Sequence, residues 1–189
     1  DNTLLWRWTP RRLDAEVVRD SMLAASGRLN AAVGGPSVYP KLSQAVLAGQ
    51  SRPGADWGKS DDQQAARRSV YIFVKRSLAV PELEALDTPD TTSSCEQRTV
   101  STTGPQALIF LNGDFAHEQA GHLARRLERE AGPDRGERVR IAYRLALGRA
   151  PSAEEAAAGA EFVDRYSGKD AWAAFALVLL NSNEFFYRM

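Results

Sequence analysis

The chain has 189 residues, with 24 Lys plus Arg, 24 Asp plus Glu and a formal net charge of zero. This balance weighs against a nucleic-acid-binding domain, which usually carries a basic excess, and no apolar run is long enough to span a membrane. The single cysteine, Cys95, excludes an internal disulfide, a CxxC redox pair and a CxxCH haem attachment.

The first element predicted along the chain is a helix over 13–26. Apolar residues recur at helical spacing between Leu13 and Ala25. Asp14 is a residue type that caps helix starts, and Gly27 favours the left-handed conformation at a helix end.

A long ordered loop region is predicted at about 27–64 and 79–106, because both stretches are rich in Pro, Gly, Ser, Thr and Asp. A short helix over 41–48 interrupts the first stretch. Between the two stretches, residues 63–78 contain the β-branched and aromatic run Val70–Val74, which favours a strand. Because no second strand of comparable strength is visible, a helix capped by Asp62 is the prediction for 63–78.

The C-terminal part predicts a succession of helices joined by short loops. Ser152 and Glu155 form a capping-box pattern, Asp170 is a candidate cap, and Gly148 is a candidate helix end. Short loops between helices favour antiparallel neighbours. The predicted helices cover about 105–112, 115–130, 135–147, 152–166 and 170–181.

These patterns predict a mainly α fold: a single helical domain over 1–189, with antiparallel helix pairs and the long ordered loop region. The chain begins with Asp1 rather than Met, so we expect it to be a piece of a longer protein. The lack of a signal peptide therefore carries no information about its compartment.

Short motifs distributed along the chain resemble those of one bacterial family. In their order they are similar to the C-terminal domain of unknown function of planctomycete-type proteins that often also carry a cytochrome-c-like domain. The resemblance implies a secreted or periplasmic multidomain protein, with haem held in another domain and no cofactor in this one. The motifs are Leu5-Trp6-Arg7, Arg11-Arg12-Leu13-Asp14, Arg67-Arg68-Ser69-Val70-Tyr71, Asp87-Thr88-Pro89-Asp90, Gln106-Ala107-Leu108, Leu147-Gly148-Arg149 and Asn181-Ser182-Asn183-Glu184-Phe185.

The densest group of polar residues in the middle of the chain is the candidate network or site. One interpretation is an anion site with a carboxylate base and a cysteine nucleophile. The favoured interpretation is a hydrogen-bonded network in which arginines and aspartates neutralise one another and hold irregular backbone against helices. The residues are Arg67, Arg68, Asp87, Asp90, Cys95 and Arg98.

Individual candidates for chemistry each have a simpler explanation. Cys95 is expected to be a small buried residue rather than a nucleophile. His117 and His122 form HExxxH, and five helical residues turn the second ring about 140° from the first, so both cannot face one metal. We therefore predict solvated or locally bonded histidines, no metal site and no catalytic residue. Trp57 is expected to pack its loop onto the body rather than to stack on a sugar.

The sequence therefore favours a non-catalytic structural or interaction module of an exported multidomain protein. Its expected partner is another domain of the same polypeptide or a separate protein, with no nucleic acid and no membrane span. Two alternatives stay open: a hydrolase-type enzyme with a site near Asp87–Arg98, and a module that binds polysaccharide.

Overall fold

A computed structural model describes residues 3–4, 6–7, 9–50, 52 and 54–188. The described part of the chain is mainly α-helical, which confirms the predicted fold class. The helices are α1 (Ala15–Ser26), α2 (Gln44–Ala48), α3 (Asp62–Ala65), α4 (Pro81–Ala85), α5 (Gly104–Asn112), α6 (Asp114–Ala131), α7 (Arg135–Leu147), α8 (Ala153–Arg165), α9 (Ala171–Leu180) and α10 (Asn183–Phe186).

Helix α6 is the centre of the molecule. It packs against α1, α5, α7 and α9. Ala116, Ala120, Leu123 and Leu127 recur on one face of α6 and are fully buried, as expected for the apolar stripe of an amphipathic helix. Val18 and Met22 of α1, Val139 of α7 and Leu180 of α9 complete the core around this face.

The local capping signals place the C-terminal helices as predicted. The Ser152 side chain accepts a hydrogen bond from the Glu155 N–H, and the Glu155 carboxylate accepts one from the Ser152 N–H. Asp170 accepts from the Ala173 N–H. Gly27 and Gly148 end α1 and α7 with φ of 76° and 72°, a conformation that side chains with a Cβ adopt at a cost.

The helix predicted over 63–78 is wrong. Only α3 and a 3₁₀ turn at Ser69–Tyr71 are helical there. Residues 72–74 lie outside any helix, and Ile72, which is buried, forms an isolated parallel bridge with Val38. The partner of this segment is Val38: its N–H donates to the Tyr71 carbonyl, and its carbonyl accepts from the Phe73 N–H.

The predicted loop region contains more structure than its composition indicates. The stretch 27–64 includes α2, which lies within the short helix predicted over 41–48, and most of α3. The stretch 79–106 includes α4 and the start of α5. A two-residue antiparallel pair joins strand β1 (Arg11–Arg12) to strand β2 (Tyr187–Arg188), near opposite ends of the chain. None of the helices in the described ranges combines the length and hydropathy needed to cross a membrane.

Candidate functional site

Arg67 fastens the loop that precedes it. Its guanidinium, almost completely buried, donates to the carbonyl oxygens of Pro36 at 3.1 Å and Ala32 at 3.3 Å, and also to that of Gly34. The same group stacks 4.0 Å from the centre of the Tyr71 ring. The hydrogen-bond partners of Arg67 are therefore backbone carbonyls, and not the aspartate carboxylates that were predicted.

Arg68 and the residues around it are tied to α1. The Arg68 Nε lies 3.8 Å from the carboxylate of Asp20, which also accepts from the N–H and hydroxyl of Ser69 at 2.8 and 2.7 Å. Beside it, buried Arg19 donates to the Ala65 and Arg67 carbonyls at 2.8 and 3.1 Å and to the Ser69 hydroxyl at 3.2 Å. Two adjacent α1 residues thus hold residues 65–69 in place.

Asp87 organises the loop that leads into α5. Its carboxylate accepts from the backbone N–H and hydroxyl of Ser101, both at 2.8 Å, and lies 2.5 Å from the Arg12 guanidinium. Gln106 donates to it at 3.4 Å. Burial raises the pKa of Asp87, but the Ser101 hydrogen bonds and Arg12 together outweigh burial and lower it. Asp87 also has a φ of 60°, so a left-handed turn orients this carboxylate.

Asp90, Cys95 and Arg98 lie on the exposed loop between α4 and α5. Asp90 accepts from the hydroxyl and N–H of Thr92, which lower the pKa of its carboxyl. Arg98 makes a two-pronged pair with Glu16 of α1 at 2.7 and 3.0 Å. Cys95 is exposed, so the expected burial of its thiol is wrong, because the loop runs over the surface instead of packing into the core.

The six predicted residues are therefore not gathered into one site. Among the described residues, no ion pair joins two of the six, since their charged partners lie on the N-terminal segment that contains Arg12, Glu16 and Asp20. These contacts attach irregular backbone to β1 and α1.

The other predicted candidates have local partners. His117 Nε2 lies 2.9 Å from the Leu111 carbonyl oxygen and His122 Nδ1 lies 3.1 Å from Arg125, so the prediction of local bonding is confirmed. Within the described ranges, no group of three or more His, Cys, Asp and Glu side chains could hold a metal ion. Trp57 donates to the Pro40 carbonyl at 3.2 Å and packs edge-on against Tyr39.

A cavity that the sequence did not indicate lies where α1, α4 and the α5–α6 junction meet the loop after Tyr39. Its volume is about 430 Å³, within the range of small-molecule sites. Arg19 and Glu82 line it from α1 and α4, and Asp114 and Phe115 line it from the start of α6. The Pro81-Glu82 pair is typical of a first helical turn, a signal that could have revealed α4 but not the cavity.

Glu82 has a perturbed environment in this cavity. Burial raises the pKa of its carboxyl most, and the nearby Asp114 carboxylate adds to this effect, while its own backbone N–H and Arg19 oppose it. No other side chain in the described part of the chain donates a hydrogen bond to Glu82. Burial lowers the pKa of Arg19, and Asp20 and Glu82 counteract that change.

A second, more apolar cavity of about 300 Å³ lies between α5 and the C-terminal segment. Leu86, Ala107, Leu111, Phe186 and Tyr187 are among the residues that line it. Next to it, α5 presents Leu108 and Leu111 to solvent, 57% and 50% exposed, although the helix as a whole is strongly apolar.

These features define a mainly α-helical protein whose irregular segments are held by buried arginines and whose surface carries an uncovered apolar helix. The chain belongs to the PSD1 family, proteins of unknown function (DUF1553), whose family model matches residues 1–163. A search of the curated proteins finds no match, and a search of the solved structures finds none. Residues 164–188, beyond the match, include α9, whose Leu179 and Leu180 lie in the common core.

Proposed function

We propose that this chain is a non-catalytic interaction module of a longer, exported protein, and that it docks through the outer face of α5. We define the α5 face as Ala107, Leu108 and Leu111. Its partner is another domain of the same polypeptide or a separate protein. The observation that carries the proposal is the exposure of Leu108 and Leu111 on a helix that buries only Gln106 and Phe110.

The energetic argument starts from the area that this face leaves in water. Burying a leucine side chain contributes about 1.5–3 kcal/mol, and contiguous apolar surface beside a groove is typical of a protein contact site. The groove lined by Leu86 and Phe186 continues the α5 face. A partner that lies across the α5 face and inserts an apolar side chain into this groove would bury Leu108 and Leu111 together.

The position of the predicted polar residues supports a module without a catalytic centre. Arg67, Asp87 and Arg98 are each used in bonds that attach loops to neighbouring elements. The export part of the proposal depends on the resemblance of the sequence motifs, and fractionation of cells that make the full protein would test it.

The docking proposal is tested by comparing the stability of this chain alone with its stability inside the longer polypeptide. We expect a higher unfolding midpoint in the longer protein, and we expect Leu111→Glu to remove that gain while leaving the isolated chain folded. Val33→Glu is the matched control, because Val33 is 87% exposed and lies outside the α5 face.

Two negative results together would overturn the proposal. The longer polypeptide would give no gain in stability, and no purified partner would lose binding to the Leu111→Glu variant. An equal loss of the gain with Val33→Glu would also overturn it, because that result would assign the effect to added charge alone.

A further inference from the structure

The cavity beside Glu82 differs from the α5 face in its chemistry, because it combines apolar walls with charged groups. Leu23, Pro40, Leu42 and Ile109 contribute apolar surface. Such walls suit the alkyl stem of a ligand. The charged groups determine which head group the stem would carry.

Most charges on the cavity wall are already paired. Arg19 makes three hydrogen bonds to residues 65–69. Lys41 and Asp62 pair at 2.8 Å, with 70% and 65% of their side chains exposed, and therefore lie at the rim. Arg28 and Glu118, the other two charged residues of this part of the lining, both act on Lys41. The two positive and two negative charges of the rim thus nearly cancel, and none of them is among the charges that shift the pKa of Glu82.

The side of the cavity formed by α4 and the start of α6 carries an excess of negative charge. Glu82 is half-buried, and Asp114 approaches it closely enough to affect its charge. In the described part of the chain, neither carboxylate is in an ion pair. Arg19 is the cation facing Glu82, and Arg19 in turn has Asp20 at 3.7 Å. Glu82 and Asp114 therefore line a side of the cavity where the neighbouring cation is Arg19. The Arg19 guanidinium also interacts with the Asp20 carboxylate.

We propose that this cavity binds an organic cation, an ammonium or guanidinium group on an alkyl stem, with Glu82 and Asp114 accepting its hydrogen bonds. The apolar walls hold the stem, and the Lys41–Asp62 pair borders the entrance. A metal ion fits less well, because the described residues offer no group of three ligands. An anion fits less well, because the hydrogen bonds of Arg19 are directed to the protein. The proposal does not depend on docking at the α5 face.

Three probes with one stem test the charge preference: n-hexylammonium, 1-hexanol and hexanoate, each titrated into the intact chain and followed by ¹H–¹⁵N NMR. We expect hexylammonium to bind at least about tenfold more tightly than hexanol, since charge-assisted hydrogen bonds contribute about 1.5–3 kcal/mol. Hexanoate should bind most weakly. Amide shifts should concentrate around Arg19, Glu82 and Phe115.

Glu82→Gln should weaken hexylammonium binding about tenfold or more and leave hexanol binding unchanged, because the stem contacts remain. Asp114→Asn should weaken it less, since Asp114 is exposed. Glu154→Gln, at an exposed position on α8, is the matched control and should have no effect. A parallel titration with N-acetyl-arginine-N-methylamide distinguishes a polypeptide side chain from a free amine as the source of the cation.

Equal binding of hexylammonium and hexanol would overturn the proposal, as would tighter binding of hexanoate. Unchanged hexylammonium affinity in both carboxylate variants would also overturn it. If Glu82→Gln fails to fold, the probe series on the unmodified chain and the Asp114→Asn variant still decide the question.

Discussion

Replacing Arg19 by methionine would measure how much of the fold depends on one buried guanidinium. Arg19 is only 3% exposed and donates to two backbone carbonyls and the Ser69 hydroxyl. Methionine fills a similar volume but donates nothing. Each buried acceptor left without a donor costs about 1–3 kcal/mol.

We expect Arg19→Met to lower the free energy of unfolding by about 3–5 kcal/mol, because Asp20 also loses a nearby cation. A domain of this size has about 5–15 kcal/mol in total, so the variant should be visibly destabilised in urea unfolding followed by far-ultraviolet circular dichroism. Arg19→Lys should be intermediate, since one ammonium cannot reach the three acceptors in the same geometry.

The control is Arg165→Met. Arg165 pairs with Glu161 on the surface, with 80% of its side chain exposed, and exposed pairs contribute little. A loss below about 1 kcal/mol for Arg19→Met, on the scale of single hydrogen bonds, would refute the reasoning. It would mean that residues 65–69 keep their conformation without the guanidinium.

Three other perturbations have expected outcomes. Gly113→Ala should cost about 1–3 kcal/mol, measured by thermal unfolding, because its Cβ would overlap the Ile109 carbonyl oxygen at the α5–α6 junction. Asp87→Ala should cost about 2–4 kcal/mol in urea unfolding, because it leaves the buried Arg12 side chain without its carboxylate. The pKa of Glu82 is raised above 4.5 in the folded state, so this carboxyl favours folding in acid and its contribution is lost as pH rises through the folded pKa. Between pH 4.5 and neutrality, the unfolding midpoint of Glu82→Gln should therefore fall less than that of the unmodified chain. Parallel pH profiles of the two proteins would contradict this.

The C-terminal helices could be predicted because their signals are local. The capping box at Ser152 lies within four residues of the helix start, and Gly148 adjoins the helix that it ends. Both signals act through hydrogen bonds or conformations that need no distant partner. The predicted bounds 135–147 for α7 are those of the structure.

The segment 63–78 shows what local reasoning misses. Its β-branched and aromatic run Val70–Val74 does favour extended backbone, but the residue that pairs with it, Val38, lies in a stretch that resembles a loop by composition. Because Val38 forms one isolated bridge and not a strand, the sequence around it has no hydrophobic run that would indicate a pairing partner. The extended conformation of this segment therefore depends on the contact between Val38 and Ile72, which are more than thirty residues apart along the chain.

The cavity was unpredictable for the same reason. Glu82 and Asp114 come close only because α4 and α6 both pack on α1 and α5. Nothing in either local sequence distinguishes these acids from those on the surface. The predicted cluster between 67 and 98 had a high density of charges along the chain, but sequence proximity did not bring those charges together in space.

The pairing of Arg11–Arg12 with Tyr187–Arg188 has a practical consequence for spectroscopy. A donor dye attached before residue 11 and an acceptor dye attached after residue 188 would stay within efficient energy-transfer range while the fold persists. Unfolding would separate them by the dimensions of a random coil. The loss of transfer would thus report the integrity of the whole structure in single molecules, with no label inside the core.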